Sequence, residues 1–162
     1  MRTLTAALAL VVVVSGCSSP ADIAVSENHT FAAVDLPPAR LTGSVSLEEA
    51  LLERRSVRQY SDDPLSLEDV SQLLWAAQGV TADWGGRTAP SAGAMYPLEV
   101  YLVAVRVEGL GSGVYRYLPN EHRLHVVRAG DVVQEVAEAA LNQSSVREAA
   151  AMLVFTAVYE RT

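Results

Sequence analysis

Three guanidiniums and a hydroxyl crowd together at Arg54, Arg55, Ser56 and Arg58. Forked guanidinium donors match the oxygens of a phosphate monoester better than an ammonium point charge does, and the hydroxyl suits a polyol chain. Further on, the loop from Thr88 to Pro97 sets Ser91, Ala92, Gly93 and Ala94 between Pro90 and Pro97. Small residues pinned by prolines leave backbone amides free to lie against a flat ligand. Together the two segments suit a bound flavin mononucleotide (FMN). Each also has a plainer reading. The arginines fit a solvated helix end paired with Glu53, Asp62 and Asp63. The loop fits a tight connection before a strand, with Met95 and Tyr96 as packing residues.

Other chemistry is poorly supported. All 12 basic residues are arginines, which removes lysine Schiff-base and general-base chemistry. A net charge of -7 argues against a nucleic-acid surface, which needs a basic stripe. The run Gly109-Leu110-Gly111-Ser112-Gly113 imitates a dinucleotide loop, but a strand-like Val114-Tyr115 follows where a helix is required. His122 and His125 have odd spacing on a strand-like segment, so their side chains diverge and do not share a metal. The carboxylate pairs Glu48-Glu49, Asp62-Asp63 and Glu68-Asp69 sit where capping and solubility explain them. No nucleophile elbow or histidine triad is present, so a hydrolase has no support.

The elements that must position these residues can be read from caps and periodicity. Ser46 with Glu49 marks a helix start, Leu47, Leu51 and Leu52 share a face, and the arginines arrive at its end. Ser66 with Asp69 marks a second helix, striped by Leu67, Val70, Leu73, Leu74 and Ala77 and ended by Gly79. Residues 98–107, 114–117, 124–127 and 152–159 read as strands, the middle two joined by the turn Pro119-Asn120-Glu121. Asp131 caps a helix running to Leu141 with Val132, Val136, Ala139 and Ala140 inward, and a short helix spans 145–150.

The chain divides into three parts. Arg2, the apolar run Leu4 to Val14 and Val14-Ser15-Gly16-Cys17 form the pattern of a bacterial lipoprotein signal peptide over residues 1–16, with Cys17 lipidated. The expected location is the cell envelope, anchored to a membrane through Cys17. An uncleaved anchor helix is the other reading. Residues 17–45 are rich in Ser, Ala and Pro and read as a flexible tether, and 46–162 hold one domain. Cys17 is the only cysteine, which rules out an intramolecular disulfide.

Taken in order, Arg54 to Tyr60, Pro64 to Gly79, Pro90 to Tyr101, Gly113 to Tyr117 with His122 and Leu124, and Ala140 to Gln143 resemble the nitroreductase-like flavin oxidoreductases. Within them the likeness is to the SagB-type dehydrogenases, which oxidise azolines to azoles in modified-peptide biosynthesis. The resemblance implies an α+β fold, an α/β/α sandwich with a mixed sheet, incomplete here at the C-terminus. It implies two intertwined subunits with FMN at their interface. Arg54, Arg55, Ser56 and Arg58 would hold its phosphate and ribityl chain. Pro90, Ser91, Ala92 and Gly93 would approach the ring, and Gln143 is a weaker contact. The implied reaction moves two electrons, as hydride at flavin N5, between a donor such as NAD(P)H and a small-molecule or peptide substrate. Family members continue past the equivalent of Thr162 with a long helix, a Gly-rich stretch and a basic strand. The expectation is a fragment of a longer reading frame or a protein needing a second polypeptide, with a catalytically silent binding lipoprotein as the alternative.

Overall fold

A computed structural model describes residues 33–162, so the leader, Cys17 and the tether up to residue 32 lie outside the described residues. Alternating and continuous apolar runs become five strands: β1 (Ala33–Asp35), β2 (Leu98–Ala104), β3 (Gly113–Leu118), β4 (Arg123–Ala129) and β5 (Ala151–Ala157). They form one sheet in the order β1-β4-β3-β2-β5. Every ladder is antiparallel, and the one parallel pairing among the described residues is the isolated bridge Leu65↔Val107. β3 and β4 form the hairpin expected around Pro119, its turn closed by Glu121 N–H donating to Leu118 O at 3.3 Å. Gly113 opens β3, so the glycine-rich run before it leads into a strand and not a helix.

The described residues hold four α-helices, α1 (Leu47–Glu53), α2 (Leu67–Gln78), α3 (Val133–Ala139) and α4 (Ser144–Arg147), of which α1 buries no residue. Successive strand residues face opposite ways, and each face is buried by different helices. Val70 and Leu74 of α2 meet Val100, Leu102, Tyr115, Tyr117, Leu124 and Leu153 on one face. Val132, Ala137, Ala140 and Val146 meet Val103 and Met152 on the other. This is a helix, sheet, helix sandwich with two apolar layers.

Three expectations need correction. The tether was expected to run to residue 45, but Ala33–Asp35 pairs with β4 at Val34↔Leu124, and Leu36 is buried in the first core layer. A strand of three residues is too short to show a period. The helix after Asp131 stops at Ala139, because Leu141 and Asn142 turn left-handed at φ 58° and 56°. Val132, Val136 and Ala140 pack inward as expected, joined by Ala137, whereas Ala139 is exposed. His122 lies in the β3–β4 turn at φ 50° and not on the strand.

Candidate functional site

The loop after α2 is held by its own side chains. Gly79 ends α2 because a Cβ there would lie 2.2 Å from Trp75 Cδ1 and 2.6 Å from Trp75 O. Thr88 returns to the same helix end, its N–H donating to Gly79 O at 2.9 Å and its hydroxyl to Trp75 O at 3.1 Å. Tyr96 is the central brace. Its N–H donates to Ser91 Oγ at 2.8 Å, and its hydroxyl accepts from Arg87 N–H at 3.2 Å. The Arg87 guanidinium lies 4.4 Å from the centre of its ring. Ala94 and Met95 close the turn by donating to Ser91 O and Ala92 O at 3.1 and 3.3 Å.

These bonds hold Gly93, Ala94 and Tyr96 at φ 59°, 54° and 43°. Gly93 tolerates that region, whereas Ala94 and Tyr96 occupy it against the steric preference of an L residue. Such strain persists only where the surroundings over-determine it. The N–H groups of Ala92 and Gly93 have no acceptor among the described residues, and both residues are exposed together with Pro90; Ser91 is half-buried. The loop therefore presents unpaired backbone donors from a braced frame.

The arginine segment is built differently. Ser46 caps α1 by accepting from Glu49 N–H at 3.1 Å, and α1 ends at Arg54. Arg55 is drawn back onto the helix end, with Nη1 donating to Leu52 O and Arg54 O at 2.8 Å each. The side chains of Arg54, Ser56 and Arg58 make no hydrogen bond or ion pair among the described residues, and all three are exposed. No ion pair joins these arginines to Glu53, Asp62 or Asp63 among the described residues, while Arg55 serves the helix end as the plainer reading has it. Burial raises the Tyr60 phenol above its usual range, the nearby Arg58 charge opposes the shift and Glu148 reinforces it. No hydrogen bond or ion pair joins residues 54–58 to residues 90–93 among the described residues. Gln143 stands apart, exposed at the start of α4 with no side-chain bond and just after the left-handed pair Leu141 and Asn142.

Two polar clusters escaped the reading from sequence. Ser71 Oγ donates to Pro37 O, His122 Nε2 lies 2.8 Å from Ser71 Oγ and 2.9 Å from Pro37 O, and Tyr117 Oη lies 2.9 Å from His122 Nδ1. Burial pushes the Tyr117 phenol up to about 12, with Arg87 acting in the opposite sense. This cluster ties the exit of β1 to α2 and to the β3–β4 turn, so His122 has a structural role. The second cluster is Glu99 between Arg116 and Arg161 at 2.6 Å each. Burial by itself would raise the Glu99 carboxyl, but hydrogen bonds and charge from both arginines outweigh it and hold it below the usual carboxylate range. Neither cluster has a signal in local sequence, because their members are brought together from distant elements.

Comparison with known proteins gives the family and the fold. The model of the Nitroreductase family matches residues 51–162. The chain is 45% identical over 118 residues to "Putative nitroreductase MJ1384" of Methanocaldococcus jannaschii, covering 73% of this chain and 60% of that protein. It superimposes on the crystal structure of a "putative nitroreductase" from Anabaena variabilis with a TM-score of 0.64, at 23% identity and over 78% of this chain and 27% of that one. With the Escherichia coli microcin synthetase McbBCD, solved with truncated pro-MccB17 bound, the TM-score is 0.50 at 26% identity, over 78% of this chain and 52% of that one. The fold is nitroreductase-like, and the chain spans less than two thirds of the length of each of these proteins.

Proposed function

Because the chain belongs to the Nitroreductase family, we propose that it carries the FMN-holding part of a flavin-dependent oxidoreductase. The observation that carries this is a shared one: the cations of Arg54 and Arg58 and the amides of Ala92 and Gly93 lack acceptors among the described residues. The donor chemistry fits the two ends of the cofactor. Arg54, Ser56 and Arg58 would take its phosphate and ribityl hydroxyls, and the loop 90–93 would meet its ring through main chain alone. Arg55 contributes charge while its Nη1 keeps the end of α1 closed. Gln143 is the weakest of the proposed contacts. FMN when bound supplies two-electron hydride chemistry at N5, and the protein's share is binding and orientation.

The two half-sites are not bonded to each other within the described chain, and we read them as meeting across a subunit interface. A second subunit is therefore part of the reading, and its support is the uncovered apolar face of α1, where Leu47, Leu51 and Leu52 are 71%, 64% and 73% exposed. We read the substrate as a small molecule or a peptide of the azoline class. The motif order and the likeness to a synthetase solved with a pro-peptide bound support that reading. NAD(P)H is the proposed donor, and the proposed place is the cell envelope, anchored through Cys17.

The test is direct. The purified full chain should carry a yellow chromophore or take up added FMN. Arg54→Ala with Arg58→Ala should weaken FMN binding by about a hundredfold, since each removes charge-assisted hydrogen bonds. The same pair should leave thermal unfolding unchanged, because neither side chain bonds within the described chain. A folded, colourless protein that takes up no FMN would falsify the proposal.

A further inference from the structure

At the start of β2 and the end of β3 a cavity of about 240 Å³ is walled by three guanidiniums, those of Arg87, Arg116 and Arg161. Two of them are held in place by one acid. Arg116 Nε donates to Glu99 Oε2 and Arg161 Nη1 to Glu99 Oε1, at 2.6 Å each. The third lies on the Tyr96 ring and donates from Nη1 to Gln78 Oε1 at 3.3 Å. A guanidinium has five N–H donors, so most of this capacity is unused. Both terminal nitrogens of Arg116, Nη2 of Arg161 and the buried Nε of Arg87 have no acceptor among the described residues. The opposing charges are Glu99 and, on the rim, Glu121, which lies 3.9 Å from Arg123. Three cations against two carboxylates leave one positive charge in excess. The rest of the wall mixes apolar side chains, Leu98, Leu118 and Pro119 among them, with the polar Gln78 and Asn120.

We propose that this cavity is a binding site for a small organic carboxylate, its anionic end taken by the free donors of Arg116 and Arg87 and its apolar body laid against Leu98 and Pro119. A single excess charge matches a monoanion, whereas a phosphate dianion would exceed it and leave Leu98 and Pro119 uncovered. Glu99 holds Arg116 and Arg161 in place before the ligand arrives, so less ordering is needed on binding. None of these residues belongs to 54–58 or 90–93, and the inference does not rest on a bound flavin.

The test titrates the full chain, without added FMN, with benzoate and follows backbone amide shifts by NMR. Saturable shifts at Val100, Tyr117 and Leu118 are expected. Arg116→Gln should weaken binding about tenfold or more, the loss of a hydrogen bond to a charged group. Asn120→Glu places an acid at an exposed wall position of the same cavity and should weaken it comparably; it decides the matter if Arg116→Gln unfolds. Arg128→Gln, in the exposed pair with Glu135, should keep the original affinity. Absence of saturation, or equal affinity in Arg116→Gln and Asn120→Glu, overturns the site. Tighter binding of inorganic phosphate than of benzoate overturns its assignment to carboxylates.

Discussion

Helices α1 and α2 are written in the same local grammar and end in opposite circumstances. Both begin with a serine whose hydroxyl accepts from the residue three positions on, at 3.1 Å in each. Both carry two acids in the first turn and a leucine-rich face. Yet α2 buries Val70, Ser71, Leu74 and Gln78 against the sheet, while α1 buries nothing. Capping and periodicity describe a helix's own needs. Whether its apolar face finds a partner depends on what the rest of the fold brings to it.

The difference sets an order of expected effects. Leu74, with no exposed surface, should lose about 2–5 kcal/mol on substitution by alanine, from lost burial and the cavity left behind; denaturant unfolding measures it. A smaller loss there would mean that α2 is as loosely seated as α1. Next comes the cap pair. Ser66→Ala should destabilise by about 1 kcal/mol, whereas Ser46→Ala should leave global unfolding nearly untouched, because α1 contributes no buried residue. Equal effects would show that α1 is coupled to the core after all.

Acid sharpens the contrast between braced and unbraced charge. The Glu99 carboxyl titrates below its ordinary 4.5 in the folded chain, so on acidification the unfolded chain takes up this proton first. The stability Glu99 contributes is complete above that ordinary value and is lost as pH falls through the folded one. Glu99→Gln should flatten this part of an acid-unfolding curve, and a curve of unchanged shape would contradict the assignment. The smallest effect is expected at Leu51. Leu51→Ala should change monomer stability by no more than about 0.5 kcal/mol, and a measurable loss that grows with protein concentration would identify a second subunit as the missing cover.

The same division runs through the candidate site. The arginine cluster and the proline-flanked loop were visible as residue types in order, because each is a run of neighbouring residues. What could not be read was the bracing of the loop by Tyr96, which in sequence is one aromatic among several. Ser71 and Gln78 fall on the inner side of α2 although both are polar. Ser71 is there because Pro37 and His122 meet it, and Gln78 because Arg87 donates to it. Leu73, read as inward, is exposed. β1 was missed because three residues show no period of their own and gain strand structure only from β4 beside them.

Sequence by itself determined the caps of α1 and α2, the β3–β4 hairpin, the run of arginines and the small-residue loop, since each depends on neighbours within a few positions. Tertiary structure decided which helix is buried and which face of α2 points inward. It also decided that Tyr96 would hold the loop in a left-handed turn and that Glu99 would gather Arg116 and Arg161. Those outcomes depend on contacts between residues far apart in the chain, and no local pattern encodes where such partners will meet.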